Sequence, residues 1–80
     1  MKLVDITVID TDDWIGVYAD GRLLISDHPF YVTQFERIFE ALKRDFGPEV
    51  GIKSFVSTCD IDLDAMGYVF PDYINDVIML

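Results

Sequence analysis

The residues best suited to chemistry are Asp60-Ile61-Asp62-Leu63-Asp64, where alternating carboxylates begin as an EF-hand calcium loop begins. The rest of such a loop is missing. Its turn position, which needs glycine, is Ala65, and its last position, which needs a bidentate glutamate, is Pro71. In an extended chain the three carboxylates would instead line one face, about 6.6 Å apart at roughly 3.3 Å per residue. That spacing is comparable to the spacing of backbone phosphates. Magnesium-assisted hydrolysis could use such aspartates, yet no Lys, His or Glu stands near them in sequence to act as base. Cys59 and His28 are each the only residue of their kind, and a nucleophilic thiol needs a base held by an orienting partner that the sequence does not offer. Cys59 reads as a small buried hydrophobe, Asp12-Asp13 as turn chemistry, and His28 before Pro29 as a loop residue. No catalytic residue, metal site or cofactor is expected.

The charge has a pattern of its own. The chain carries a net charge of −9, and residues 1–20 hold five aspartates against Lys2 alone. Residues 21–53 hold five cations and five anions, and residues 54–80 hold five aspartates and no cation. The excess therefore lies wholly at the two ends. Twelve of the fifteen acids are Asp, whose short side chain loses less rotamer entropy than Glu when fixed. Such an array favours solubility and a steering field, and it repels nucleic acid as a direct ligand. Hydrophobic residues make up 51% of the chain, high for a body this small, so some apolar surface is expected to stay exposed and to mark an interface if contiguous.

A chain of 80 residues is one domain, burying only about 60% of its unfolded surface. No run approaches the ~20 apolar residues of a membrane span, and the N-terminus lacks a signal-peptide profile. A lone cysteine in so short a chain points to a reducing cytoplasm, not to a disulfide-stapled secreted module.

The elements that would position these groups are legible. Val4, Ile6 and Val8 alternate with Asp5 and Thr7 as in a half-buried strand. Trp14 to Ala19 reads as a second strand, Asp20-Gly21 as a type I′ hairpin turn, and Arg22 to Ser26 as the return strand. Gly16 marks a bulge or a close approach by another backbone. Thr33-Gln34-Phe35-Glu36 fits a capping box that opens a helix. Phe35, Ile38, Phe39, Leu42 and Phe46 form its apolar stripe, and Gly47-Pro48 ends it. Gly51 to about Cys59 is a further strand, with Phe55, Ile52 and Val56 contributing to the core, and Tyr68-Val69-Phe70 a candidate short one. Pro71 then precedes a short C-terminal helix carrying Ile74, Val77 and Ile78, with a strand as the alternative. The expected class is α+β: an antiparallel sheet of four to five strands, beginning with a three-stranded meander, packed against one amphipathic helix.

The stretch Trp14-Ile15-Gly16-Val17-Tyr18-Ala19-Asp20-Gly21-Arg22-Leu23 resembles a W-x-G-V-Y-x-D-G-[KR]-L hairpin of small, uncharacterised phage-borne proteins. It covers about ten of the eighty residues and carries over no functional residue. In size, acidity and want of catalytic signatures the chain also resembles anti-CRISPR and anti-restriction inhibitors, several of which imitate nucleic acid. The resemblance implies a phage-encoded inhibitor in the cytoplasm of a bacterial cell, occluding the nucleic-acid site of a host defence protein. The expected partner-binding groups are the carboxylates Asp5, Asp12 and Asp13, then Asp60, Asp62 and Asp64, then Asp72 and Asp76. Trp14, Tyr68 and Tyr73 join them as aromatic anchors of the kind enriched at hot spots. The rival reading is a structural module that buries its surplus apolar surface as a homodimer.

Overall fold

Alternation along the first strand decides which side of the sheet each neighbour covers. In the computed structural model, which describes residues 2–11, 14–28, 34–67 and 69–79, with only the backbone of Gln34 and Phe35, β1 spans Leu3–Asp10. Its Val4, Ile6 and Val8 point one way into a first core cluster, and Ile9 points the other way into a second. β2 (Ile15–Ala19) is buried at every position. Ile15, Val17 and Ala19 join the first cluster, and Tyr18 joins the second. Its unbroken apolar run is what burial on both faces requires.

β2 turns into β3 (Arg22–Asp27) through Asp20 at φ 50° and Gly21 at φ 83°, the paired positive φ values of a type I′ turn. Asp20 adds a side-chain clasp: its Oδ1 accepts the Asp5 amide at 2.8 Å, and its Oδ2 lies 3.2 Å from Lys2 Nζ. The amide bond, then Lys2, hold the Asp20 carboxyl below the usual carboxylate range. Placing a Cβ on Gly21 forces an L-residue into the left-handed region, so Gly21→Ala is expected to lower stability by about 1 kcal/mol, measured by urea unfolding.

Helix α1 (Gln34–Phe46) lies on the first face, seating Ile38 and Leu42 among the β1 and β2 side chains. It ends as expected, with Gly47 at φ 97° and its amide donating to Lys43 O at 3.0 Å. The apolar stripe is displaced from the expected one. Ile38, Ala41 and Leu42 are buried, whereas Phe39 is exposed on the helix flank beside Glu36, Glu40 and Lys43. The proposed Thr33 cap and the Phe35 side chain lie outside the described residues.

β4 (Gly51–Thr58) brings two corrections. It joins β1 in parallel, so the sheet order is β3-β2-β1-β4 and the sheet is mixed, not wholly antiparallel. The cause is the connection. β3 and β1 run the same way, and a helix returns the chain to the starting end before β4 begins, as a crossover between parallel strands demands. Phe55 and Val56 are also 41% and 56% exposed, not core, because β4 is an edge and α1 leans towards β3 at the other edge. Ile52 alone of the three packs against the first cluster, and Cys59, expected to be buried, is exposed just past the end of this edge strand. Val69 and Phe70 form no fifth strand, and the expected C-terminal helix is a single 3-10 turn at Ile74–Asp76.

The second face of the sheet is covered by residues 59–79 with almost no regular structure. Ile61 and Phe70 are buried against Ile9 and Tyr18, with Leu63, Met66, Ile74 and Val77 packed around them. Three ties hold this covering segment. The Tyr18 hydroxyl donates to Pro71 O at 2.7 Å. Leu23 N–H donates to Asp72 O, and Ile74 N–H donates to Gly21 O, each at 2.8 Å, along the edge of β3. The segment then closes on itself, Asp62 N–H donating to Ile78 O at 2.8 Å. Gly16 answers to this layer: a Cβ there would lie 2.9 Å from the Phe70 ring. The expected close approach is real, but it comes from a side chain and not from a backbone.

Candidate functional site: an acidic and apolar face

The layered fold brings one acid of the N-terminal end, Asp5, to the side that the C-terminal segment covers, whereas Asp10, opposite Ile15 in register, points to the helix side. β1 is central, and the C-terminal covering segment lies across the face that Ile9 shares. By the two-residue period Asp5 and Thr7 point to that same side, and Asp5 is held there by Ser54, whose Oγ donates to Asp5 Oδ1 at 2.6 Å. All five acids of residues 54–80 belong to the covering segment, and no cation stands among them. The opposite side is formed by α1, where Arg37, Lys43 and Arg44 balance Glu36, Glu40 and Asp45.

The described ion pairs follow the same division. Lys2 meets Asp20 at 3.2 Å, Arg37 meets Asp27 at 2.6 Å, and Arg44 meets Asp45 at 3.0 Å. The Arg37 guanidinium, then the His28 amide, hold the Asp27 carboxyl below its usual range. Among the described residues none of Asp60, Asp62, Asp64, Asp72 and Asp76 forms an ion pair. Their field acts inwards as well. Burial first, and then the charges of Asp72 and Asp76, push the Tyr18 phenol up to about 12.

The expected extended stripe at Asp60, Asp62 and Asp64 does not form. Asp62 Oδ1 accepts the Ala65 amide at 3.1 Å, and Met66 and Gly67 bond back to Leu63 and Asp64 as turns. A short acidic side chain satisfies its own backbone more readily than it holds a strand open. Asp60 precedes that turn and Asp64 lies within it, both exposed. Among the described residues no three His, Cys, Asp or Glu side chains come close enough to hold a metal ion.

Trp14 is tied into the fold: its Nε1–H donates to Ser26 Oγ at 2.9 Å, and its ring meets His28 edge-on at 4.4 Å between centroids. Tyr73 is 53% exposed, with the Arg22 guanidinium 5.8 Å from its ring centre. Asp12, Asp13 and Tyr68 lie outside the described residues. Sequence reasoning missed the apolar part of this face. Val69 is 66% exposed and Met79 58%, with Ile78 exposed beside them in the chain. The available signal was that residues 59–79 hold many apolar side chains but only short, broken periods, since an irregular cover buries only some of them.

No helix among the described residues is long and apolar enough to cross a membrane. Compared with protein-family models, curated proteins and solved structures, the chain matches none.

Proposed function

We propose that this chain is a non-catalytic, protein-binding inhibitor, phage-encoded and acting in the bacterial cytoplasm, which occludes the nucleic-acid site of a host defence protein of the CRISPR or restriction kind. The observation that carries this reading is the composition of one face. A covering segment whose charged residues are all acids, with Asp5 on the same side, exposes Val69, Ile78, Met79 and Tyr73, the last beside the Arg22 guanidinium. A groove built for phosphates is cationic, so opposed potentials would speed encounter, and desolvated apolar and aromatic groups would hold the complex. The hairpin resemblance supports a phage setting. Asp12, Asp13 and Tyr68 remain proposed partner-binding residues.

The test is capture from bacterial lysate with the immobilised chain, followed by competition and salt titration of the captured protein. A nucleic-acid-handling protein should be retained, displaced by its own nucleic acid, and released as salt rises. Neutralising Asp60, Asp64, Asp72 and Asp76 to Asn should weaken binding by at least about tenfold, or ~1.4 kcal/mol. Failure to retain any such protein would sink the reading, and binding indifferent to salt would remove nucleic-acid mimicry from it.

A further inference from the structure

We propose that residues 59–79 open from the sheet as one unit while the sheet and α1 stay folded, and that the segment's own negative charge sets how often they do so. The inference starts from the division of the core. Val4, Ile6, Val8, Ile38 and Leu42 belong to a cluster that no described residue of the covering segment enters, whereas Ile9 and Tyr18 belong to the cluster that it closes. Lifting the segment therefore uncovers Ile9 and Tyr18 and leaves the packing of α1 on the sheet whole. The segment itself is lightly held. Among its described residues only Ile61 and Phe70 are buried, and its regular structure is one 3-10 turn. Leu23 N–H to Asp72 O and Ile74 N–H to Gly21 O fasten its backbone to the hairpin within residues 72–74. Elements with few buried apolar contacts open locally, below the free energy of global unfolding.

Charge decides which conditions favour opening. Asp60, Asp62, Asp64, Asp72 and Asp76 carry the segment's charge, and among the described residues none of them forms an ion pair. Closing draws the two halves of the segment together, since Asp62 N–H donates to Ile78 O and Ile61 faces Met79 across a bridge. Like charges gathered in this way oppose closing, and salt screens them. Opening should therefore become rarer as salt rises or as these carboxylates are neutralised. A cationic partner would act in the same sense, because it meets an assembled acidic face only when the segment is closed, and binding shifts the population towards that state. That last step alone rests on the proposed function.

Native-state hydrogen exchange of the whole chain, in stepped low urea and at low and high salt, tests the opening. The amides of Leu23, Asp62 and Ile74, bonded to Asp72, Ile78 and Gly21, should exchange through one shared opening. It should depend on urea less steeply than exchange of the β1 and β2 amides, because it exposes less surface. High salt should slow these three amides relative to those of β1 and β2. Asp72→Asn with Asp76→Asn, both at exposed positions, should slow them at least about threefold at low salt, the scale of removing two like-charge contacts. If that variant does not fold, the salt series on the unmodified chain decides. Exchange of the three amides only with global unfolding overturns the proposal, and so does a local opening indifferent to both salt and the two substitutions. No partner takes part in the experiment, so its failure and the failure of lysate capture are distinguishable.

Discussion

Phe70→Ala should destabilise the protein by about 3–5 kcal/mol, the range for removing a buried aromatic side chain. The Phe70 ring is 3% exposed and is the largest group that the covering segment places against the sheet. It rests on Gly16, where an added Cβ would meet three ring carbons at 2.9 to 3.0 Å. Two of those carbons sit near the root of the side chain, so the ring cannot step aside without moving its backbone. Gly16→Ala should accordingly cost about 1–3 kcal/mol in the unmodified chain, as overpacking does. In the Phe70→Ala background the same change should cost almost nothing, because the space is then empty. Urea unfolding of the four proteins closes this cycle, and additive losses would show that Gly16 and Phe70 do not share a contact. Losses of this size matter in a chain this short, whose whole stability is of order 5 kcal/mol or a little more.

The second large effect is a dependence on alkaline pH with a single origin. Tyr18 is fully buried, donates its hydroxyl to Pro71 O at 2.7 Å, and has its phenol pushed up to about 12 by burial and by Asp72 and Asp76. In the unfolded chain a tyrosine ionises near 10. Its folded value is the higher one, so its contribution is fully present below pH ~10 and is lost as pH rises towards ~12. Two pK units set a ceiling of about 2.7 kcal/mol, and the nearness of the hydroxyl to the surface brings the expected loss to roughly 1–2 kcal/mol. Tyr18→Phe leaves the Pro71 carbonyl without its donor, a cost of about 1–2 kcal/mol at neutral pH. The gap between the two proteins should narrow from pH ~10 to ~12. Asp72→Asn with Asp76→Asn should move that window to lower pH. Chemical unfolding at a series of pH values measures all of this, and a constant gap between parent and Tyr18→Phe would contradict it.

What sequence reading reached, and what it missed, divides along physical lines. Asp20-Gly21 and Gly47 announced their positive φ values because few other residues tolerate them. The aromatic and β-branched residues of β2 announced a strand, while its burial on both faces emerged only from the structure. The direction of β4 was not legible: Gly51–Thr58 has no alternation, and its pairing partner is set by a crossover spanning the whole helix. The covering segment was hidden for a related reason. Ile61, Phe70, Ile74 and Val77 are spaced to fit a surface made by other strands, so no one period runs through them, and the helical spacing of Ile74 and Val77 yields only a single 3-10 turn. The candidate face was half legible. Charge counting located its acids, while the turn at Asp62 and the anchoring of Trp14 to Ser26 depend on contacts that no local pattern encodes.

The parallel pairing of β1 with β4 also governs how the protein comes into being. Leu3 meets Gly51 and Ile9 meets Thr58, so within this sheet β1 waits for β4, the strand made last of the four. On a ribosome the β1-β2-β3 meander can close early, because its contacts are local, but one side of β1 stays unpaired until residues 51–58 have emerged. Closing so long a span carries an entropic cost and slows folding relative to chains with local contacts. During that interval an apolar strand edge stands open to neighbouring chains.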